Sequence, residues 1–265
     1  MSKPKRISGT KEWATRNVNI INGCPHRCRY CYAREMAVRY KRCPRAEDWG
    51  ESYHHLKQKE VDRPRKKLDG TVMFPTTHDI TPEHLEPCLE VIGKLIAAGN
   101  RLLIVSKPHI DCIKKITWRF WELHCSQILF RFTIGAMDDE ILSYWEPGAP
   151  TFSERKTSLM HACSMGFATS VSIEPMLDSP HIVELVNAVS PYVTDTIWIG
   201  KMKQVRARAM PGTSEAAIRR IEAGQTDERI REIYADLKDH SQIRWKDSFK
   251  SVVGVELATA AGLDV

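Results

Sequence analysis

The sequence predicts an α/β protein built as a partial (β/α)6 TIM-like barrel with a C-terminal helical extension. Six short apolar runs, rich in β-branched residues, alternate with longer segments of helical periodicity. Such runs are typical of parallel strands, because a helix has to connect each strand to the next and covers the sheet as it does so. Six such units are too few to close an eight-stranded barrel, and they fit a curved, open sheet.

Each predicted strand is an apolar run that ends at polar or turn-forming residues. The six runs are 17–21 (NVNII), 71–74 (TVMF), 101–106 (RLLIVS), 128–134 (ILFRFTI), 167–173 (FATSVSI) and 195–200 (DTIWIG). The best-defined helix follows the second run, because Thr81 can cap it, Pro82 suits its first position and Gly99 suits its end. Helical patterns also cover 110–124, 138–144, 153–165, 180–189 and, interrupted near Gly224, 214–239.

These elements divide the chain into three parts. An N-terminal extension (1–16) precedes the barrel (17–202), which carries a basic insertion (39–69), and a helical extension (203–265) follows. Within the last part, residues 242–254 are a candidate cover for the bottom or the edge of the barrel.

Composition indicates a protein of a reducing compartment. Five of the eight cysteines are scattered without regular spacing, which is not the pattern of a disulfide framework: Cys43, Cys88, Cys112, Cys125 and Cys163. No apolar run approaches the ~20 residues that cross a bilayer, and no apolar segment follows the basic N-terminus as it does in a signal peptide. We therefore expect a cytoplasmic protein with no membrane partner, and we expect a monomer.

The remaining three cysteines form a C-x3-C-x2-C pattern directly after the first predicted strand: Cys24, Cys28 and Cys31. Three thiolates are one fewer than the four that a closed zinc or iron–sulfur site uses. Polar residues also follow the other strands, at Thr76–Asp79, Ser106–Lys107, Glu174 and Gly200–Lys201. Because the carboxyl ends of parallel strands meet at one edge, we expect these residues to gather around the cysteines.

The cysteine pattern resembles the hallmark of the radical S-adenosylmethionine (SAM) superfamily, which places an aromatic residue, here Tyr30, before the last cysteine. The resemblance spans roughly 17–200 and implies the partial barrel fold. It implies that Cys24, Cys28 and Cys31 are catalytic and hold a [4Fe–4S] cluster whose fourth iron binds SAM. It further implies that reductive cleavage of SAM gives a 5′-deoxyadenosyl radical, which abstracts hydrogen from a substrate. A flavodoxin- or ferredoxin-like electron donor is the implied partner.

Two alternatives remain open at the level of sequence. The three cysteines could bind zinc, completed by His26 or by a distant residue, although zinc ribbons normally bring a second cysteine pair and Cys43 alone is a poor candidate. The second alternative is that the chain is a non-catalytic metal-binding or nucleic-acid-binding module.

A closer resemblance, to the spore photoproduct lyase-like branch of the superfamily, lies in the segment 134–177. It rests on Asp139, Glu146, Pro147, Ala149, Pro150 and Arg155. Residues 104–110 (IVSKPHI) are similar to the Ser/Thr-Lys segment of that branch, which implies that Ser106 and Lys107 lie at the cofactor and that Lys107 meets the SAM carboxylate. Arg155 is an implied cofactor-binding residue; the alternative is a structural Glu146–Arg155 pair. The alternative for Lys107 is an ordinary surface lysine.

The loop 75–85 departs from that branch. Photoproduct lyases have a hydrogen-donating cysteine where this chain has Thr76, so we do not expect lesion repair by that route. Thr77, His78 and Asp79 are expected to contact the amino group of SAM. His78 is also a candidate acid or base, since its ordinary pKa lies near neutrality; the alternative is a hydrogen-bonded structural histidine.

Two further features bear on cofactor and substrate. Glu174 ends the fifth predicted strand and is expected to bind ribose or substrate, since an unpaired acid is costly in a core; Tyr30 and Tyr32 are expected beside the cofactor. The basic insertion, with interleaved aromatic residues, and the cations of 201–208 favour a nucleic acid or nucleotide substrate. The alternatives are a peptide, protein or small-molecule substrate and an ordinary solvated surface.

Overall fold

The computed structural model describes residues 7–262, and two sheets occur among them. The strands are β1 (Arg16–Asn17), β2 (Ile21–Asn22), β3 (His55–Leu56), β4 (Thr71–Phe74), β5 (Arg101–Ser106), β6 (Ile128–Thr133), β7 (Ala168–Ile173), β8 (Ile197–Ile199) and β9 (Ile243–Trp245). Seven strands form a parallel sheet in the order β1-β4-β5-β6-β7-β8-β9, and β2 pairs antiparallel with β3. Within residues 7–262, β1 and β9 are the two edge strands of the sheet and do not pair with each other. The prediction of an open α/β barrel is therefore confirmed.

Helices connect the strands of the parallel sheet. They are α1 (Tyr32–Arg39), α2 (Gln58–Asp62), α3 (Leu85–Ala97), α4 (Ile110–His124), α5 (Asp139–Trp145), α6 (Phe152–Ser164), α7 (Ile182–Val189), α8 (Val205–Arg208), α9 (Glu215–Ala223), α10 (Asp227–Leu237) and α11 (Asp247–Val253). No helix within 7–262 has the length and apolar character needed to span a bilayer.

The first predicted strand is in fact two short strands in different sheets. Val18 still donates its N–H to the carbonyl of Met73 at 3.0 Å, continuing the pairing of β1 with β4. The Asn19 side chain then accepts hydrogen bonds from the backbone N–H groups of Thr76 and Thr77, at 2.7 and 2.9 Å. Because these bonds replace the regular ladder, the chain leaves the parallel sheet before β2.

The sheet also has one strand more than the predicted six. β9 lies in the segment that was expected to be helical extension, and it pairs in parallel with β8. Three residues are too few to show a period of two, so the sequence pattern could not distinguish this strand from a loop.

The two faces of the parallel sheet differ in character. One face packs against helices through fully buried side chains such as Ile104, Phe130 and Val171. The other face alternates with it along each strand and carries Arg131, Thr133 and smaller polar residues toward the barrel interior. This alternation leaves room for a polar cavity inside the open barrel.

The N-terminal segment fills part of this interior. The indole of Trp13 lies against the Arg131 guanidinium, at 4.7 Å from ring centroid to Cζ, and against the Lys246 ammonium, at 3.9 Å. Lys246 is fully buried, forms an ion pair with Glu12 and donates a hydrogen bond to the Gly9 carbonyl at 3.0 Å. Burial raises the pKa of Glu12, against the opposing effect of Lys246. A cation–π contact and a buried ion pair therefore hold this segment in place.

We predict that Lys246→Met lowers the free energy of unfolding by about 3–5 kcal/mol, because it leaves the Glu12 carboxylate buried without its cation. The Glu12→Gln/Lys246→Met double variant should recover much of the loss, since the fully buried carboxylate is gone and Glu174, which also contacts Lys246, is 20% exposed. Urea unfolding of the three proteins measures both differences. Equal destabilisation of the single and double variants would show that packing, and not charge, dominates here.

Candidate functional site

A cavity of about 610 Å³ opens at the carboxyl ends of the parallel strands. Its wall contains the three clustered cysteines and most of the other residues predicted for the site: Cys24, Cys28, Tyr30, Cys31, Tyr32, Thr77, His78, Asp79, Lys107 and Glu174. Ser106 and Arg155, which were also predicted to bind the cofactor, do not line it.

The cysteines lie on a loop that ends at α1. Cys24 and Cys28 are buried, and Cys31 caps the helix by accepting a 3.5 Å hydrogen bond from the N–H of Arg34. The buried Arg34 guanidinium donates to the carbonyl of Cys28 at 2.8 Å and so closes the loop. Burial raises the pKa of Cys28 to about 12 and that of Cys24 well above its usual value. Both thiols are therefore neutral unless a bound cation stabilises the thiolates.

A buried acid–base chain fixes this loop to the barrel. The Tyr30 hydroxyl donates to the carboxylate of Glu146, which pairs with Arg155 at 2.6 Å, and both charged groups are fully buried. The N–H of Gly148 donates to the carbonyl of His26 at 3.1 Å. A Cβ at Gly148 would lie only 2.2 Å from a backbone oxygen, so this close approach requires glycine. The segment 146–150 (EPGAP) therefore packs against the cysteine loop from outside the cavity. Arg155 forms the structural pair with Glu146.

Asp79 joins three segments of the cavity wall. Its Oδ1 accepts hydrogen bonds from the Lys107 N–H at 2.7 Å and from the Ser106 hydroxyl at 2.9 Å. Its Oδ2 lies 2.9 Å from Nδ1 of His26 and 3.7 Å from Sγ of Cys24. Asp79 thus connects the cysteine loop to the ends of β4 and β5.

The Asp79 and Lys107 side chains form a charged pair at the cavity. Nζ of Lys107 lies 3.8 Å from Oδ2 of Asp79 and 5.9 Å from the ring centroid of Tyr30. Burial is the largest single influence and opposes charge on both groups, but the combined attraction of their neighbours outweighs it, led by Lys107 for Asp79 and by Asp79 for Lys107. The pKa of Asp79 is therefore held well below, and that of Lys107 well above, its ordinary value.

His78 has both ring nitrogens engaged by backbone groups. Nε2 accepts from the N–H of Ile20 at 3.2 Å, so Nδ1 is the nitrogen that donates, to the carbonyl of Asp79 at 3.0 Å. Burial lowers the pKa of His78 to about 4. This geometry is that of the neutral, hydrogen-bonded structural histidine.

Two residues fix the Thr76–Thr77 loop. Asn19 binds it through the backbone contacts that end β1, and Asn19 Nδ2 also donates to the Thr76 hydroxyl at 2.8 Å. The Tyr32 hydroxyl donates to the Thr76 carbonyl at 2.6 Å. Thr76 and Thr77 therefore line the cavity on a loop that is held by Asn19 and by Tyr32, the first residue of α1.

Glu174 lines the cavity, and its carboxylate contacts the buried ammonium group of Lys246. Its Oε2 is 3.4 Å from Nζ of Lys246, and the glutamate side chain is 20% exposed. A Cβ at Gly200 would lie 2.7 Å from the Lys246 side chain and 3.0 Å from that of Glu174, so glycine permits this contact. The carboxylate is consequently paired yet still reaches the cavity.

The zinc alternative has a geometric counterpart in Cys24, His26 and Asp79, whose ligand atoms lie within 4.8 Å of one another. However, Nδ1 of His26 contacts Asp79, and Nε2 lies 2.9 Å from Nε2 of His109. A metal at either ring nitrogen would have to displace one of these partners. The arrangement therefore disfavours His26 as the fourth ligand.

Three residues of this site were not predicted from the sequence. Asn19 is a polar residue within an apolar run, a signal that was available but weak. Arg34 and Lys246 gave no usable signal, because a basic residue on a predicted helix or in a loop is ordinarily solvated.

We predict that the His78 ring titrates with a midpoint near pH 4, whereas exposed His181, whose pKa the Asp178 carboxylate raises, titrates above its ordinary value. Because the folded pKa of His78 lies below the unfolded one, its stabilising contribution of roughly 3 kcal/mol is present above pH 6.5 and is lost toward pH 4. Imidazole NMR shifts in a pH titration measure both midpoints. Protonation of His78 near pH 6.5 would contradict its burial in this geometry.

Comparison with known proteins supports this architecture. No protein-family profile matches the sequence. An alignment with the uncharacterised protein ORF301 of Acidianus two-tailed virus is 25% identical over 181 residues and covers 62% of this chain. The chain spans only 56% of that curated relative.

Among solved structures, spore photoproduct lyase complexed with dinucleoside spore photoproduct matches with a TM-score of 0.56 and 14% identity, over 91% of this chain and 78% of that one. SuiB of Streptococcus suis bound to S-adenosylmethionine matches with a TM-score of 0.52 and 10% identity, over 92% of this chain and 52% of that one. Both are radical SAM enzymes, and at these identities the similarity establishes architecture. The chain therefore shares the open-barrel fold of these two enzymes.

Proposed function

We propose that the chain is a radical SAM enzyme that uses a [4Fe–4S] cluster and SAM to abstract hydrogen from a substrate. The observation that carries the proposal is the convergence of three cysteines with the Asp79–Lys107 pair on one cavity wall. Neither a zinc ribbon nor a passive scaffold needs three thiols and a zwitterionic pair facing the same cavity.

The donor set fits such a cluster. Three thiols reach the cavity, and neither nearby candidate for a fourth ligand is available: Sγ of Cys43 donates to the carbonyl of Arg45 at 3.1 Å, and His26 is bound at both nitrogens. Burial raises the pKa values of Cys24 and Cys28, so both would bind as thiolates only with the positive charge of the cluster beside them. When bound, the cluster supplies the electron for reductive cleavage of SAM.

The protein's own residues orient and enclose the cofactor. Lys107 presents a cation to the SAM carboxylate, and Asp79 presents an anion to its amino group while keeping Lys107 charged. Glu174, backed by Lys246, offers a carboxylate for the ribose hydroxyls or for the substrate. His78 stays neutral and holds the Thr77–Asp79 loop in position.

The cavity mouth favours an anionic substrate. Five cationic side chains lie on its wall, and only two carboxylates do: Lys11, Lys107, Lys201, Lys203 and Arg208, against Asp79 and Glu174. Three of these lysines are themselves paired: Lys107 with Asp79 at 3.8 Å, Lys201 with Asp227 at 3.6 Å, and Lys203 with Asp247. Arg208 lines the same wall, and its Nε has no hydrogen-bond partner among residues 7–262. We propose a nucleic acid or nucleotide as the substrate on this basis.

Thr76 separates the proposed reaction from that of photoproduct lyases. Its hydroxyl is engaged with Asn19, and its O–H bond is too strong to replace a thiol as hydrogen donor. We therefore propose a reaction other than photoproduct repair on the same architecture.

We predict that Cys24→Ser, Cys28→Ser and Cys31→Ser each abolish the iron–sulfur chromophore after anaerobic reconstitution, because two thiolates are too few to hold the cluster. Cys43→Ser is the matched control, since Cys43 is equally buried but lies off the cavity wall. Iron and sulfide content, together with 5′-deoxyadenosine formed from SAM and dithionite, provide the readouts. Full cluster content in any of the three variants, or no SAM cleavage by the wild type, refutes the proposal.

We predict that Lys107→Met weakens SAM binding at least tenfold, because the variant loses the cation that faces the SAM carboxylate. Lys201→Met serves as control, since it removes a lysine from the same wall without touching Asp79. Equilibrium dialysis of the reconstituted proteins against labelled SAM measures the two affinities. Unchanged binding by Lys107→Met would contradict the assigned role.

We predict that single-stranded oligonucleotides bind more weakly as salt rises, with log K falling by about 0.7 per phosphate contacted against log salt. The physical reason is the release of condensed counterions when cavity-mouth cations neutralise phosphates. Fluorescence anisotropy between low and physiological salt, with Arg208→Ala as comparison, gives the slope. A flat response would favour a peptide or small-molecule substrate.

A further inference from the structure

A second group of metal-binding side chains lies outside the cavity wall. It consists of His54, which belongs to the basic insertion just before β3, and of Glu83 and His84, which precede α3. One ligand atom from each of the three residues lies within 4.8 Å of the other two. The folding of the insertion against the barrel brings these residues together.

Both histidines have a buried ring nitrogen that lacks a hydrogen-bond partner among the residues that the structure describes. The atoms are Nε2 of His54 and Nε2 of His84. The His54 side chain is only 7% exposed and that of His84 is 18% exposed, so solvent does not readily compensate for the missing bonds. Since buried polar nitrogens are normally satisfied, the deficit at Nε2 of His84, the nitrogen that faces Glu83, calls for a ligand, whereas His54 faces Glu83 with Nδ1.

The spacing suits a metal ion better than a hydrogen-bonded cluster. Nδ1 of His54 lies 3.3 Å from Oε2 of Glu83, and Nε2 of His84 lies 3.8 Å from Oε1 of the same carboxylate. Zinc bonds to nitrogen and oxygen of about 2.0–2.1 Å, in a tetrahedron, place neighbouring ligand atoms about 3.4 Å apart. The second separation is too long for a hydrogen bond. The imidazole rings, with centroids 5.0 Å apart, face the same carboxylate.

We propose that His54, Glu83 and His84 bind one zinc ion, with water as the fourth ligand. Two imidazoles and one carboxylate match zinc and not magnesium or calcium, which prefer oxygen ligands throughout. The site is independent of the three cysteines, so it does not rest on the proposed cluster.

The position of the site gives the zinc a structural role. It ties the basic insertion to the connection between β4 and α3, which begins with the Thr76–Asp79 loop of the cavity wall. The insertion also packs against the cysteine loop, since a Cβ at Gly23 would lie 1.8 Å from the carbonyl oxygen of Tyr53. The metal therefore holds together two segments that enclose the cavity.

The test uses the full chain with Cys24, Cys28 and Cys31 changed to serine, so that the cavity thiols cannot take the metal. Zinc binding is measured by equilibrium dialysis, and Co²⁺ serves as a spectroscopic probe. We expect one zinc per chain and a cobalt spectrum with d–d bands but without the near-ultraviolet thiolate-to-cobalt absorption. The reconstituted wild-type chain should contain the same single zinc beside its iron.

Single histidine variants test whether zinc binds at this site and not at a neighbouring histidine. His54→Gln and His84→Gln should each weaken zinc binding at least tenfold, and zinc should raise the thermal midpoint of the parent chain but not of these variants. His55→Gln is the matched control, since the exposed His55 adjoins His54 and should bind zinc as tightly as the parent. Substoichiometric zinc in the parent, a thiolate band with cobalt, or equal loss in His55→Gln would each overturn the proposal.

Discussion

The Asp79 carboxylate is the interaction on which the arrangement of the cavity depends. It accepts hydrogen bonds from the end of β5 through Ser106 and the Lys107 backbone, and it contacts His26 in the cysteine loop. Three segments that are distant in sequence therefore share one largely buried anion, whose side chain is 12% exposed. A buried charge is tolerated only with partners on several sides. This single carboxylate therefore determines the relative positions of the segments that carry the thiols and Lys107.

Two further sets of buried charges extend the same principle around the barrel. Glu146 and Arg155 hold the cysteine loop from outside the cavity, and Lys246 joins the N-terminal segment to Glu174. Each of these groups is paired, and each connects segments remote in sequence. Their net energetic contribution is modest, since desolvation offsets much of the attraction. What they provide is a defined geometry, which a site that positions a reactive cofactor requires.

The strands and the position of the cysteine loop at the cavity were largely predictable, because apolar runs and cysteine spacing are local signals. The segment 17–21 was misleading because the Asn19 side chain ends the strand through hydrogen bonds to Thr76 and Thr77, far along the chain. β9 was missed because three residues show no period. Whether Arg155 would face a cofactor or pair with Glu146 could not be decided from sequence, since burial depends on tertiary packing. Lys246 and Arg34 were unpredictable for the same reason.

The central claim is that the three cysteines leave one coordination position open to SAM beside Asp79 and Lys107. Electron paramagnetic resonance of the reduced, reconstituted chain tests it most directly, with and without SAM labelled with ¹⁷O at its carboxylate. The claim predicts a changed signal on SAM addition and hyperfine coupling to the label. A signal that is identical with and without saturating SAM would contradict it.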